Sequence, residues 1–172
     1  LEWELDVQAR TLIPAVVAVT ATGVIGGLAS RPADSPWYRS LRKPLYQPPR
    51  QAFPIVWPML YADIAIVSSN TLDEMELRGQ KRERRQYMNA LAMNLMLNAG
   101  WSWLFFNRRL LGTSAIAAAV LAGSSADLSR RAVAVQGKRA APLALYPTWC
   151  AFAAVLSSHI WFLNRRHNED PT

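Results

Sequence analysis

Cysteine occurs once in the 172 residues, at Cys150, and histidine twice, at His159 and His167. A single thiol excludes an intramolecular disulfide framework and a Cys-rich structural zinc site. His159 has no second His or Cys at ligand spacing, so no metal site is expected. Also missing are a Ser-His-Asp order, a phosphate-cradling glycine loop and a carboxylate pair. With no visible catalytic machinery, the expectation is a binding or carrier protein rather than an enzyme.

The most consequential absence is of charge. Five runs, 11–29, 53–72, 87–106, 110–128 and 142–163, contain no Lys or Arg and only two acids, Asp63 and Asp127. Each holds 19 to 22 residues, and a helix needs roughly 20 to cross a hydrocarbon core. All 19 basic residues lie between or outside these runs. Soluble helices carry a charged stripe on their outer face, so this segregation excludes a soluble bundle. The net charge of +7 would suggest nucleic acid in a soluble chain. Here the mixed-sign run 73–86 argues against a nucleic-acid arm, and contact with membrane lipid headgroups is expected instead. The first run is longer than a signal-peptide core and is followed by further runs, so it reads as a span. The basic residues divide ten and nine between the two sides, which leaves the orientation undecided. The chain therefore reads as an all-α membrane protein: one domain over 1–172, a bundle of five transmembrane helices, integral and multi-pass in a bacterial or organelle membrane.

What is present is aromatic and stiff. Between the first two runs, the loop 30–52 carries prolines at 32, 36, 44, 48 and 49 together with Trp37, Tyr38 and Tyr46. Prolines fix φ and remove donors, so this is a rigid cover, read as a lid over a binding site. In the first run Gly23 and Gly27 form a GxxxG, which suits close helix packing within one subunit or across a dimer. In the fourth, Ala115, Ala119 and Gly123, and Ala118, Ala122 and Ala126, form two small-residue ridges with the same two readings.

Trp57 and Tyr61 stand four apart in the second run, with Pro58 between them. Asn94, Asn98, Trp101 and Phe105 share one helical face in the third. Amides in hydrocarbon need partners, so that face points into the bundle. It serves either as interhelical glue or as the wall for a flat, mostly apolar ligand with a few acceptors. Asp63 is expected to be neutral or paired and to serve helix packing or a subunit contact.

Three segments coincide with a known family pattern. Trp37-Tyr38, Ser40-Leu41, Lys43-Pro44, Tyr46 and Pro48-Pro49-Arg50 match a loop motif; Phe53-Pro54, Trp57 and Leu60-Tyr61 match a second-helix opening; Asn98, Trp101 and Phe105-Phe106 match a third helix. The chain thus resembles the TspO/MBR family, whose members are called translocator protein, tryptophan-rich sensory protein or peripheral-type benzodiazepine receptor. The resemblance implies five transmembrane helices, usually as a homodimer, and one pocket beneath the loop. It implies a hydrophobic small molecule as partner, porphyrin or sterol-like, with protoporphyrin IX or haem as candidate ligand and no required cofactor. By position, Gly27, Phe53, Trp57, Tyr61, Asn98 and Trp101 would line the pocket, and Trp37, Tyr46, Pro48 and Pro49 would belong to the lid. Porphyrin-degrading, photo-oxidative activity on pocket tryptophans is the alternative reading. The chain departs from the pattern where Tyr46 replaces a Trp and Asn94 a Gln. Counted from Pro147, Ala151 and His159 stand where the family has Trp and Asn, with Trp149 two positions early. No Tyr completes the sterol-recognition pattern in 160–165, so high-affinity cholesterol binding is not expected.

Overall fold

The computed structural model describes residues 35–49 and 52–165, together with positions 17, 20, 21 and 23, which are helical. The rest of the first run, Gly27 included, lies outside the described residues. A short helix α1 (Pro36–Ser40) is followed by four long ones: α2 (Phe53–Leu77), α3 (Lys81–Phe106), α4 (Leu111–Gln136) and α5 (Leu145–Asn164). A 3-10 segment, Gly137–Ala144, joins the last two. Among the described residues there is no strand.

The helices overrun the uncharged runs that predict them. α3 begins at Lys81 and α4 continues to Gln136, because Arg, Lys, Glu and Gln are good helix formers and only a breaker stops the chain. Gly79 is that breaker after α2. At φ 67° it allows Gly79 N to donate to Glu76 O (3.0 Å) and Gln80 N to Met75 O (2.9 Å), a Schellman ending. Gly137, at φ 60°, closes α4. Asp127 consequently lies inside a helix, paired with Arg130 (2.7 Å) and Arg131 (2.6 Å) one turn on. The third connection is also short: Arg109, at φ 57°, turns the chain from α3 into α4.

The outer surface is more apolar, and the interior holds more polar groups, than in a water-soluble protein. Ser68, Thr71, Asn94, Asn98, Ser114, Ser125, Ser129 and Ser157 are inside, while Ile55, Met59, Ile66, Met96, Ile116, Val155 and Phe162 face outward. An outer surface of aliphatic and thioether groups suits hydrocarbon, and an inner one of hydroxyls and amides satisfies itself. Among the described residues, two stretches are long and apolar enough to cross a membrane, Ile55–Leu77 and Leu111–Asn164, the second holding both α4 and α5. α3, opened by five consecutive charged residues, is not one of them.

Two clusters make the core. Leu60, Ile64, Leu72, Tyr87, Leu95, Leu121, Leu128, Tyr146 and Cys150 join all four long helices. The second cluster, Phe105, Leu111, Leu156 and Ile160, closes around Tyr38 of α1. The aromatic loop is thereby part of the packed structure at one end of the bundle.

Candidate ligand-binding site

The loop docks by contacts that the sequence motif does not spell out. Ser35 caps α1 by accepting from Tyr38 N at 3.2 Å. The Tyr38 ring meets Phe105 (6.1 Å) and Phe106 (5.6 Å), with the Lys43 ammonium 4.3 Å from its centroid. Trp37 lies beneath the Arg109 guanidinium at 5.3 Å. A turn at Pro44 (Gln47 N to Pro44 O, 3.1 Å) presents Tyr46, whose hydroxyl is 2.9 Å from Nδ1 of His159. Asn164 grips the backbone of Arg42 from both sides, accepting from its N–H at 3.0 Å and donating to its carbonyl at 2.9 Å. Pro48 is half-buried, and Pro49 accepts from Ala52 N at 2.9 Å as the chain enters α2.

Beneath this cover runs an aromatic series. Trp57 stacks on Tyr61 with centroids 5.5 Å apart, and Trp101 lies 6.3 Å from Trp57 and 6.1 Å from Phe105. Four of the expected site residues, Trp57, Tyr61, Asn98 and Trp101, are thus brought together by α2 and α3. Tyr61 donates to Asn98 Oδ1 at 2.9 Å. Phe53 opens α2. Gly23 lies so near the Tyr61 ring that a Cβ there would sit 3.2 Å from two of its carbons, so this half of the GxxxG serves packing within the subunit.

The amides are held by a relay that reaches across four helices. Asn98 Nδ2 donates to the Tyr146 hydroxyl (3.2 Å), which donates to Asn94 Oδ1 (2.7 Å). Asn94 Nδ2 in turn faces Ser124 and Ser125 Oγ, each at 3.1 Å. Four helices are tied by one chain of hydrogen bonds from Tyr61 to Ser125. No local spacing marks Tyr146 and the two serines as these partners; the signal in the sequence is that two amides in hydrocarbon require partners.

Trp101 is 8% exposed, yet among the described residues its Nε1–H has no acceptor. A buried, unanswered N–H costs about 1–3 kcal/mol, and it lies on the same helical face as Asn98. Asp63 likewise has a buried Oδ2 with no partner, and no basic residue pairs with it among the described residues. It lies on α2 two residues from Tyr61, off the face that Trp57 and Tyr61 share. On α5, Trp149 packs half-buried against the main core with its ring 5.6 Å from Phe152. An indole therefore does face the interior from α5, although counting from Pro147 places it two residues early. No cluster of three or more metal-ligating side chains is present among the described residues.

A family model described as TspO/MBR family matches residues 15–162. The chain belongs to the TspO/MBR family. Among curated TspO/MBR relatives, it is 33% identical over 151 residues to the translocator protein of Ovis aries, covering 88% of this chain and 85% of that one. It is 32% identical over 157 residues to the translocator protein of Sus scrofa, with coverage of 87% and 89%. It is also 32% identical over 164 residues to the tryptophan-rich protein TspO of Chlorobaculum tepidum, with coverage of 93% and 99%. The TspO/MBR assignment makes this a helical membrane protein. The family match reaches from the first run to Phe162, so it takes in both the loop and the aromatic series.

Proposed function

We propose that this TspO/MBR protein is a membrane receptor or carrier that binds a porphyrin, or a similar flat hydrophobic molecule, inside its bundle beneath the 30–52 loop. The observation that carries the reading is the Trp57–Tyr61–Trp101 series beside an unanswered Trp101 N–H and the Asn98 amide. Stacked rings offer π-faces to a macrocycle, and a buried donor offers one directional bond to an acceptor on its edge. Gly27 and Phe53 would complete the lining, and protoporphyrin IX or haem is the candidate ligand. The functional unit in this reading is one domain of five transmembrane helices, multi-pass in lipid and assembled as a homodimer. On the exposed side of α4, a Cβ at Gly123 would meet nothing within 4 Å among the described residues, which leaves room for a second copy.

The test is quenching of tryptophan fluorescence by protoporphyrin IX. Saturation at roughly micromolar levels, weakened in Trp57→Phe and Trp101→Phe, is expected. Linear quenching that is the same in both variants refutes a defined site. The second reading, light-driven porphyrin breakdown, is favoured by the Trp57–Trp101 pair, 6.3 Å apart, with Trp149 packed against the same core from a third helix. Under aerobic illumination a carrier leaves the Soret band tracking a protein-free control, whereas an oxidising protein bleaches it into a new product.

A further inference from the structure

The five tyrosines differ in what their hydroxyls meet. Tyr61 and Tyr146 donate to asparagine carbonyls, and Tyr87 pairs with Ser68 at 3.0 Å. Tyr38 accepts from Gln47 Nε2 at 3.1 Å beneath the Lys43 ammonium. None of these partners is a base. Tyr46 is the exception: among the described residues, its hydroxyl alone meets an imidazole, at 2.9 Å from His159 Nδ1. The two rings lie 5.6 Å apart at 36°, and the Tyr46 ring meets Phe152 at 6.3 Å. Phe152 adjoins Trp149, which packs against the cluster that also receives Trp57 and Tyr61. Despite these ring contacts Tyr46 remains 46% exposed.

From this geometry we infer that Tyr46, backed by His159, is an axial ligand for the iron of a ferric tetrapyrrole, so that the protein distinguishes iron-loaded from metal-free porphyrin. The inference rests on the proposed function above and adds to it a choice between two porphyrins. In the tautomer with its proton on Nε2, His159 accepts at Nδ1 and the phenol proton points to it. That leaves a lone pair on the Tyr46 oxygen for a metal. Phenolate is a hard oxygen ligand of the kind that holds haem iron in catalase-type sites. On binding, the Tyr46 O–H bond breaks, its proton passes to His159 Nδ1, and an oxygen–iron bond forms as water or chloride leaves the metal. The iron remains ferric and no electron moves.

The test titrates the purified full chain with ferric protoporphyrin IX and, separately, with metal-free protoporphyrin IX, in the wild type, Tyr46→Phe and His159→Gln. The readouts are two affinities and the iron spectrum, by absorption and electron paramagnetic resonance. The wild type is expected to give a high-spin ferric signal with a phenolate-to-iron charge-transfer band. In Tyr46→Phe the band vanishes and the ratio of ferric to metal-free affinity falls about tenfold. In His159→Gln the band weakens, because an amide does not take the proton. Loosening of the loop affects both porphyrins and cancels in the ratio, and the metal-free titration reports whether each variant is folded. An unchanged ratio and the same iron spectrum in Tyr46→Phe overturn the inference while leaving porphyrin binding intact, and the pair is then a latch only. If neither porphyrin saturates the wild type, the inference falls together with the proposed function.

Discussion

Removing a single oxygen from the centre of the bundle, by Tyr146→Phe, interrupts the hydrogen-bond relay at the point where it is most constrained. Tyr146 is fully buried, and the substitution keeps its ring, so no cavity larger than a hydroxyl opens. Two groups lose their partners at once: Asn98 Nδ2, which donates to that oxygen at 3.2 Å, and Asn94 Oδ1, which accepts from it at 2.7 Å. A buried polar group left unsatisfied costs about 1–3 kcal/mol, whereas interhelical hydrogen bonds in membranes average only about 0.6 kcal/mol because the unfolded helices also find partners. With two orphans and no repacking, a loss of about 2 kcal/mol is expected. Reversible unfolding in mixed micelles, followed by tryptophan fluorescence, measures it. Tyr87→Phe, which breaks one bond to Ser68, is the control and should cost about half as much. Adding Asn94→Leu to Tyr146→Phe should cost less than the sum of the single changes, because the second removes an orphan the first created. A Tyr146→Phe protein within about 0.3 kcal/mol of wild type, inside ordinary additivity error, would refute the relay as a source of stability.

Gly23→Leu forces carbon into the Tyr61 ring, already 3.2 Å from where a Cβ would stand. It should destabilise by about 1–3 kcal/mol and lower porphyrin affinity, read from thermal melts and fluorescence titration on the same sample. Replacing Pro48 and Pro49 together by Gly restores backbone freedom to the loop, so porphyrin should dissociate faster with little change in association, as stopped-flow would record. An unchanged off-rate reduces the loop to a connector. Asp63→Asn keeps shape and removes charge from a carboxylate whose buried Oδ2 has no partner among the described residues. It should leave porphyrin affinity within about threefold, under ~1 kcal/mol, while shifting the melting temperature or the dimer fraction in detergent.

The sequence made legible whatever depends on one helix at a time. Uncharged runs locate α2 to α5 because each is long enough for a helix and is bounded by charge. The i, i+4 and i, i+3 spacings put Trp57 with Tyr61 and Asn98 with Trp101 because a helix has a fixed period. Helix ends were less legible: Lys81 to Gln86 and Ser129 to Gln136 are helical, because charged residues bound an uncharged run without ending a helix. Contacts between distant segments were not legible at all. Tyr146 answers both Asn94 and Asn98, and His159 meets Tyr46 across more than a hundred residues, pairings fixed by helix rotation rather than by any local spacing. Counting from Pro147 put the α5 indole out of place; its packing puts Trp149 on the interior face.

The grip of Asn164 on Arg42 reproduces, with a side chain, the two-way exchange by which one strand recognises another. Such a contact reads the peptide group and ignores the residue that carries it. Arg42 is exposed, so its side chain is free to diverge toward whatever the surrounding membrane or solvent favours, without releasing the loop. Any residue with an N–H serves at that position and proline does not. The helix side of the contact has no such latitude, because among side chains only a carboxamide presents donor and acceptor together in the geometry of a peptide bond. Change in this part of the molecule is therefore lopsided: the loop can be rewritten at residue 42 at little cost, while the last residue of α5 is held to asparagine by the shape of the backbone it touches.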